Sequence, residues 1–305
     1  MGVPLAAAGI PVFGSSKKLL CTCLPKYSLN TYLGRCAHGC LYCYATKFPS
    51  FAGPVRPRLS LLADIEGMAR KTRNKMPVMV SDCTDPYQPL EKELKVTRRC
   101  IEVLAGLGFP LLIVTKSDLV TRDIDVFHRT PTVVAVTVTT QSEGVSSMIE
   151  PNAPSPDRRL SALQEVSDRG IPAVARVDPI IPTVNDGEAD FEKLVSTLAA
   201  IGVKQVTIST LKPVRGFFSK LERADSGLHG RLSRAYSDGG WIAGYKYLRE
   251  ARRRALVEKF RRIVLRHGLA FSSCREGFPE LNTLPCDGTY YCRVKWGKDR
   301  GFKDN

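Results

Sequence analysis

Cys36, Cys40 and Cys43 stand in the stretch NTYLGRCAHGCLYCYATKF with the spacing C-x3-C-x2-C. Three thiolates on one short loop can hold three irons of a [4Fe–4S] cluster, leaving the fourth iron open to a small molecule. Zinc competes for thiolates, but a structural zinc ion takes four ligands, commonly in pairs. His38 lies between two of the cysteines, with little freedom to turn inward as a fourth ligand. Coincidence explains the triplet poorly. With ten cysteines in 305 residues, three at a fixed spacing arise in roughly one such chain in a hundred.

Five more cysteines fall near the ends of the chain. Cys21 and Cys23 form a C-x-C pair, and Cys274, Cys286 and Cys292 lie in SSCREGFPELNTLPCDGTYYC. Neither set alone makes an ordinary site. Together they offer thiolates for an auxiliary Fe–S cluster or zinc, provided the two ends meet. Otherwise they are unrelated thiols, as Cys100 is expected to be inside a helix. Between Lys246 and Arg266 there are nine Lys or Arg against Glu250 and Glu258, with Trp241, Tyr245 and Tyr247 at or just before its start. A cationic helix beside aromatics suits a nucleic-acid contact, centred on Arg252, Arg253 and Arg254. The competing reading has Leu248, Ala255, Leu256, Phe260 and Ile263 as a buried stripe and the arginines as a solvated far face.

The elements that must position these residues alternate. Strands are expected at Ser28–Leu33, Pro77–Ser81, Pro110–Thr115, Thr132–Thr139, Pro172–Val177 and Lys204–Thr210. TVVAVTVTT is the clearest, being β-branched almost throughout. Helices are expected near Leu59–Arg73, Val96–Leu107, Pro156–Arg169 and Asp190–Ile201. Three of them run into Gly108, Gly170 and Gly202 at cap positions. Such alternation predicts an α/β fold, a parallel sheet with right-handed crossovers forming an open, partial (βα)6 TIM-like barrel. The triplet follows the first strand, on the rim where barrel active sites sit. Lys212–Gly240 reads as a long loop or broken helices, and a long helix is expected at about Trp241–His267. The organisation is then an N-terminal extension over residues 1–27, a barrel core over 28–211, and a C-terminal helical and cysteine-containing extension over 212–305.

The apolar fraction of 43% and charged fraction of 25% exclude a disordered or fibrous chain. No run of 18 apolar residues exists, so no membrane helix is expected. The N-terminus lacks a basic start and carries Pro4 and Pro11, unlike a signal peptide, and Ala6 breaks the myristoylation pattern after Gly2. A cytoplasmic setting follows, where thiols stay reduced. The formal charge of +15 favours a polyanionic partner.

The triplet resembles the signature of the radical S-adenosylmethionine (SAM) superfamily. SDCTDPYQPLE, IVTKSDLVTRDID, VAVTVTT, EPNAPSPDRRLSAL and DPIIPTVND resemble the spore photoproduct lyase-like subfamily, whose relatives are often labelled DNA repair photolyases. The resemblance implies a [4Fe–4S] cluster on Cys36, Cys40 and Cys43, with S-adenosyl-L-methionine chelated to the open iron. It implies Tyr42 against the adenine and Lys116 and Thr137 at the cofactor carboxylate. Ser81, Asp82 and Thr84 occupy the place of polar groups for its ammonium. Lys116 also makes sense as a cation at a strand's end, or else as a solvated lysine. Cys83 lies near the position of the lyase's hydrogen-donating cysteine, but Asp82 aligns opposite it and Cys83 one residue later. A one-residue slip on a strand reverses the face, so Cys83 is a candidate catalytic residue or a small buried apolar group. Glu150 and Arg158 are expected as a structural pair.

These readings lead to a radical SAM enzyme, lyase-like or nucleic-acid-modifying. It would receive its electron from a flavodoxin- or ferredoxin-type partner and act on DNA, RNA or another substrate. The alternative is a zinc- or Fe–S-binding, nucleic-acid-binding protein without radical chemistry.

Overall fold

The computed structural model describes residues 10–72 and 75–293. Gly2, Pro4, Ala6 and Arg73, used above, lie outside the described residues. The chain opens with β1 (Val12–Phe13) and β2 (Lys26–Leu29), then a short hairpin of β3 (Tyr32–Leu33) and β4 (Arg56–Pro57). Next come α1 (Leu61–Lys71), β5 (Val78–Val80), α2 (Glu91–Leu94), α3 (Val96–Gly106), β6 (Leu111–Thr115), α4 (Ile124–Phe127) and β7 (Thr132–Thr137). Helices α5 (Glu143–Ile149) and α6 (Pro156–Asp168) lead to β8 (Ala173–Ile180), α7 (Glu188–Ala200) and β9 (Gln205–Thr210). The remainder is α8 (Phe217–Ala224), α9 (Ser226–Ala235), a hairpin of β10 (Trp241–Ile242) and β11 (Tyr245–Lys246), α10 (Glu250–Arg266), β12 (Ala270–Ser273) and α11 (Thr289–Arg293).

The main sheet has the order β1-β2-β5-β6-β7-β8-β9-β12. Every neighbouring pair from β2 to β12 is parallel, and β1 adds antiparallel at one edge. The six expected strands are present, and β12 is a seventh parallel strand that AFSS is too short to announce. Expected strand Ser28–Leu33 is broken at Asn30, whose side-chain carbonyl accepts from the Cys83 and Thr84 N–H groups at 3.2 and 3.3 Å. The long helix begins at Glu250 instead of Trp241. Before it, Ala243 and Gly244 adopt positive φ (49° and 83°), forming the tight turn of the β10–β11 hairpin. Lys212–Gly240 resolves into broken helices.

Period-two alternation divides the strand side chains between two environments. Leu111 and Ile113, Val134 and Val136, Ala173 and Ala175, and Val206 and Ile208 pack under the helices in the main core. Their neighbours face the lumen. Met79, Leu112, Val133, Ala135 and Val174 form a separate apolar group there with Cys292 of α11, which plugs one end. On β8 and β9 the lumenal row turns polar, with Arg176, Gln205, Thr207 and Ser209. The segment after β12 folds back inside, and Thr207 donates to the Cys286 carbonyl at 2.8 Å.

Helix α10 lies outside the sheet, against α7 and β12. Its cations are largely engaged by the protein. Arg253 is buried against Glu276 and the Tyr247 and Phe278 rings. Arg254 pairs with Glu258 and Glu280, and Arg266 with Glu192. Arg252, Lys259 and Arg261 donate to the carbonyls of Ala235, Asp186 and Leu281.

Lys26 is fully buried in the lumen, and its ammonium lies 2.5 Å from Asp287. Burial pulls the Lys26 pKa down, but Asp287 and Cys23 hold it above the ordinary value. The pair joins β2, near one sheet edge, to the segment beyond β12 at the other. Breaking a buried pair strands one charge, at a cost of about 3–5 kcal/mol, whereas replacing both partners with apolar groups is close to neutral. Lys26→Met is therefore expected to lose about that much in urea denaturation, and Lys26→Met/Asp287→Leu to recover most of it.

Candidate active site

The triplet loop is slung between β3 and β4. Gly34 opens it with φ of 80°, and a Cβ there would lie 2.0 Å from the Pro54 carbonyl oxygen, so the two arms approach only with glycine. The loop is held from three sides. Gly34 N–H donates to Ser50 at 3.0 Å, Leu41 N–H to the Ile149 carbonyl at 2.9 Å, and Ala37 N–H to the Gln88 side chain at 3.0 Å. Asn152 bonds the carbonyls of both His38 and Ala37.

Asp85 fastens this loop to the sheet. Its carboxylate accepts from the Thr115 hydroxyl and Lys116 N–H, each at 2.6 Å, and from Tyr87 N–H at 2.9 Å. His38 Nε2 lies 3.3 Å away, out of line for a hydrogen bond. Burial pushes the Asp85 carboxyl up. His38, Thr115 and Lys116 N–H outweigh it and hold the group at about 2. In the sequence, Asp85 followed by Pro86 announces only a turn, and nothing in that pattern announces four partners.

The three cysteine thiols are half-buried. Burial, with Asp85 adding, pushes Cys36 up to about 12. Burial raises Cys40 to about 11 while Lys116 pulls it back. Lys116 directly follows β6, and its ammonium lies 5.5 Å from the centroid of the Tyr42 ring. Burial lowers the Lys116 pKa, but Cys40 and Glu150 together raise it above its ordinary value. The Tyr42 hydroxyl donates to Glu150, which also takes Thr139 at 3.2 Å and the buried Arg159 at 2.5 Å. The expected partner Arg158 instead reaches Asp118 at 2.6 Å. Consecutive helical residues point about 100° apart, so when Arg159 turns inward Arg158 faces outward.

The segment after β5 divides its polar groups. Asp82 accepts from the Asn30 amide at 2.5 Å, and the Thr84 hydroxyl donates to the Tyr32 carbonyl at 3.1 Å. Ser81, with φ of 67°, is buried and its hydroxyl has no partner. The Cys83 thiol is pushed up by burial and by Asp82, and it neighbours Tyr44 and Cys43. Thr137 closes β7 and is buried. Ser81, Asp82, Cys83, Thr84 and Thr137 line one chamber of about 680 Å³ with the three cysteines and Lys116. Cys21, Cys23, Cys274 and Cys286 line the same chamber, but Cys292 does not join them. Its thiol is buried 3.1 Å from the Leu111 carbonyl.

The sequence pattern of the radical SAM superfamily matches residues 31–212. The chain belongs to the radical SAM superfamily. It is 32% identical over 167 residues to an uncharacterised protein of Methanocaldococcus jannaschii, covering 53% of this chain and 63% of that one. A radical SAM Nα-GlyT isomerase of Pseudomonas phage M6 is 23% identical over 256 residues, 80% of this chain and 52% of the phage protein. Spore photoproduct lyase complexed with dinucleoside spore photoproduct superposes with a TM-score of 0.67 at 18% identity, covering 87% of this chain and 78% of that one. The last likeness establishes the partial barrel. No helix among the described residues is long and apolar enough to cross a membrane.

Because the folded carboxyl of Asp85 lies near 2, against about 3.9 when unfolded, its contribution is complete above the unfolded value and disappears as pH falls through the folded one. Asp85→Asn is expected to lower the stability of the metal-free chain by on the order of 2 kcal/mol at pH 7. Chemical denaturation should show the gap to the parent constant down to about pH 5 and shrinking below about pH 4.

Proposed function

We propose that this chain cleaves S-adenosylmethionine reductively and abstracts hydrogen from a nucleic-acid substrate. The observation that carries the reading is one chamber wall on which Cys36, Cys40 and Cys43 meet Lys116, Thr137 and the unpartnered hydroxyl of Ser81. This donor set fits the groups that the superfamily implies. Three thiols suit a cluster with one open iron. A cation and free hydroxyls beside them suit the charged amino-acid end of the cofactor. Such a [4Fe–4S] cluster with bound S-adenosylmethionine supplies one-electron cleavage of the sulfonium and the radical that removes a hydrogen atom.

The chain's own residues do the rest. Asp85 and Gly34 set the loop, so that the cysteines meet the strand ends without further ordering. Lys116 offers a cation to a carboxylate, and Ser81 and Thr137 offer hydroxyls. Glu150 and Arg159 lock the Tyr42 ring at the wall, where it can cover an adenine. Cys83, which follows β5, and Tyr44, on the cysteine loop, both neighbour Cys43 and are the candidates for returning hydrogen to a substrate radical. The apolar plug of α11 closes the other end of the lumen against water. An electron donor of flavodoxin or ferredoxin type completes the cycle.

Support for nucleic acid comes from the charge of +15 and from the chamber rim. Arg35, Arg215 and Lys220 are exposed there beside the half-exposed Tyr44. Cations with an aromatic platform suit single-stranded nucleic acid. The rim is a better candidate contact than α10, most of whose arginines are engaged by the protein. The lyase named above as a structural neighbour holds a dinucleoside. A reacting sugar or base must enter the chamber, so single strands and flipped nucleotides are favoured over intact duplex.

Cys36→Ala/Cys40→Ala/Cys43→Ala is expected to reduce dithionite-dependent formation of 5′-deoxyadenosine to background. Undiminished product from this variant refutes the reading. For the substrate, reversing Arg35, Arg215 and Lys220 to Glu is expected to weaken binding to single-stranded DNA and to lower the slope of log affinity against log salt by about 2, one step of about 0.7 per lost phosphate contact. Reversing Arg252 and Arg262 on α10 is expected to leave the slope unchanged. An anaerobic fluorescence titration reads both, and indifference to the rim variant moves the substrate class to peptides or small molecules.

A further inference from the structure

Four cysteines outside the radical SAM triplet meet at the seam of the open barrel. Cys21 and Cys23 precede β2, near one edge of the main sheet. Cys274 directly follows β12, the opposite edge. Cys286 comes from the segment that folds back into the lumen. Chain separation within the group reaches 265 residues, yet Cys21, Cys23 and Cys286 form one buried cluster with Cys274 packed on it. The Sγ atoms of Cys23 and Cys286 are 3.8 Å apart. Cys21 neighbours Cys23 and Cys274 neighbours Cys286, so the thiols form a row Cys21–Cys23–Cys286–Cys274.

We propose that Cys21, Cys23, Cys274 and Cys286 hold a second metal centre, of tetrathiolate type, that closes the barrel seam and faces the active chamber. Two thiolates on one tetrahedral metal with bonds of about 2.3 Å stand about 3.8 Å apart, as Cys23 and Cys286 do. Four thiolates suffice for zinc or for an iron–sulfur cluster. Among the described residues no three His, Cys, Asp or Glu side chains yet converge as ligands of a single ion, and this includes the radical SAM triplet. In both places the thiols are gathered and the metal completes the geometry.

Two cations stand beside the sulfurs, each already paired with a carboxylate. Lys26 and Arg176 are the cations acting on Cys23, and Arg176 acts on Cys274 as well. They are themselves tied to Asp287 and Asp178 at 2.5 Å, which fixes them beside the sulfurs. The seam is otherwise thinly bridged. The Lys26–Asp287 pair and a 3.2 Å bond from Arg275 Nε to the Leu19 carbonyl cross it. A metal bound to ligands from both edges would stabilise the closed barrel, because ligands far apart in the chain meet only when it is folded.

This inference does not rest on the proposed reaction, and its test removes the triplet first. The Cys36→Ala/Cys40→Ala/Cys43→Ala chain is reconstituted anaerobically in two batches, one with iron and sulfide and one with zinc. One batch is expected to retain metal after desalting, either about four irons with sulfide and a brown colour or about one zinc and no colour. Adding Cys23→Ser/Cys286→Ser should take that metal to background at an unchanged circular dichroism spectrum. If this variant misfolds, native alkylation of the triplet-free chain decides. Loading should protect four thiols from iodoacetamide and raise the melting temperature. Background metal in both batches, metal retained by the folded Ser variant, or thiols that loading leaves unprotected overturns the proposal. The 5′-deoxyadenosine assay on the parent chain stands or falls separately.

Discussion

Asp85 is a carboxylate buried between a loop and a sheet, and the site depends on that burial. An uncompensated buried charge costs several kcal/mol, so the group is tolerated only while Thr115, Lys116 N–H, Tyr87 N–H and His38 surround it. Thr115 and Lys116 end β6, Tyr87 follows β5, and His38 sits among the three cysteines. One carboxylate therefore ties the thiol-bearing loop to two strand ends. A shift of the loop by even one residue would take His38 away from the carboxylate and leave only the three hydrogen bonds from Thr115, Lys116 and Tyr87. The same logic operates at Glu150, where Arg159, Thr139 and Tyr42 hold the aromatic residue of the triplet in place.

Strand alternation then builds the chamber that this loop roofs. Residues one apart on a strand face opposite sides, so a single register decides both the packing under the helices and the lining of the lumen. The lining is uneven along the sheet. It is apolar at β6 and β7, where α11 plugs the lumen, and polar at β8 and β9, where Arg176 and Thr207 meet the returning chain. The polar side lies next to the open seam, which the protein bridges with a buried ion pair and with gathered sulfur. An open barrel gains access for a large substrate and loses the hydrogen bonds that closure would have supplied. Bridging groups at the seam offset that loss.

The surface charge is redistributed by folding. The one-signed segment Lys246–Arg266, which contains the chain's long helix, reads as a nucleic-acid contact while it is only a string of residues. Once folded, Arg253, Arg254 and Arg266 have carboxylates from elsewhere in the chain, Glu276, Glu280 and Glu192. Exposed cations with aromatic company are found instead at the rim, contributed by Arg35 in the cysteine loop and Arg215 and Lys220 after β9.

What the sequence determined by itself was local or periodic. The C-x3-C-x2-C spacing marks its chemistry because ligands on one short loop need no fold to be neighbours. The β-branched run at Thr132–Thr137 and the glycines that end the helices announce βα units for the same reason. The tertiary structure alone decided matters of direction and distance. It separated Cys292 from the other four thiols, since α11 carries it to the far end of the lumen. It chose Arg159 over Arg158 for Glu150, since one residue along a helix is a large turn. It added β12, whose four residues become a strand only because β9 presents an unpaired edge. Hydrogen bonds and ion pairs between residues far apart in the chain leave no trace in spacing, and they set which of the sequence's many reactive side chains share a site.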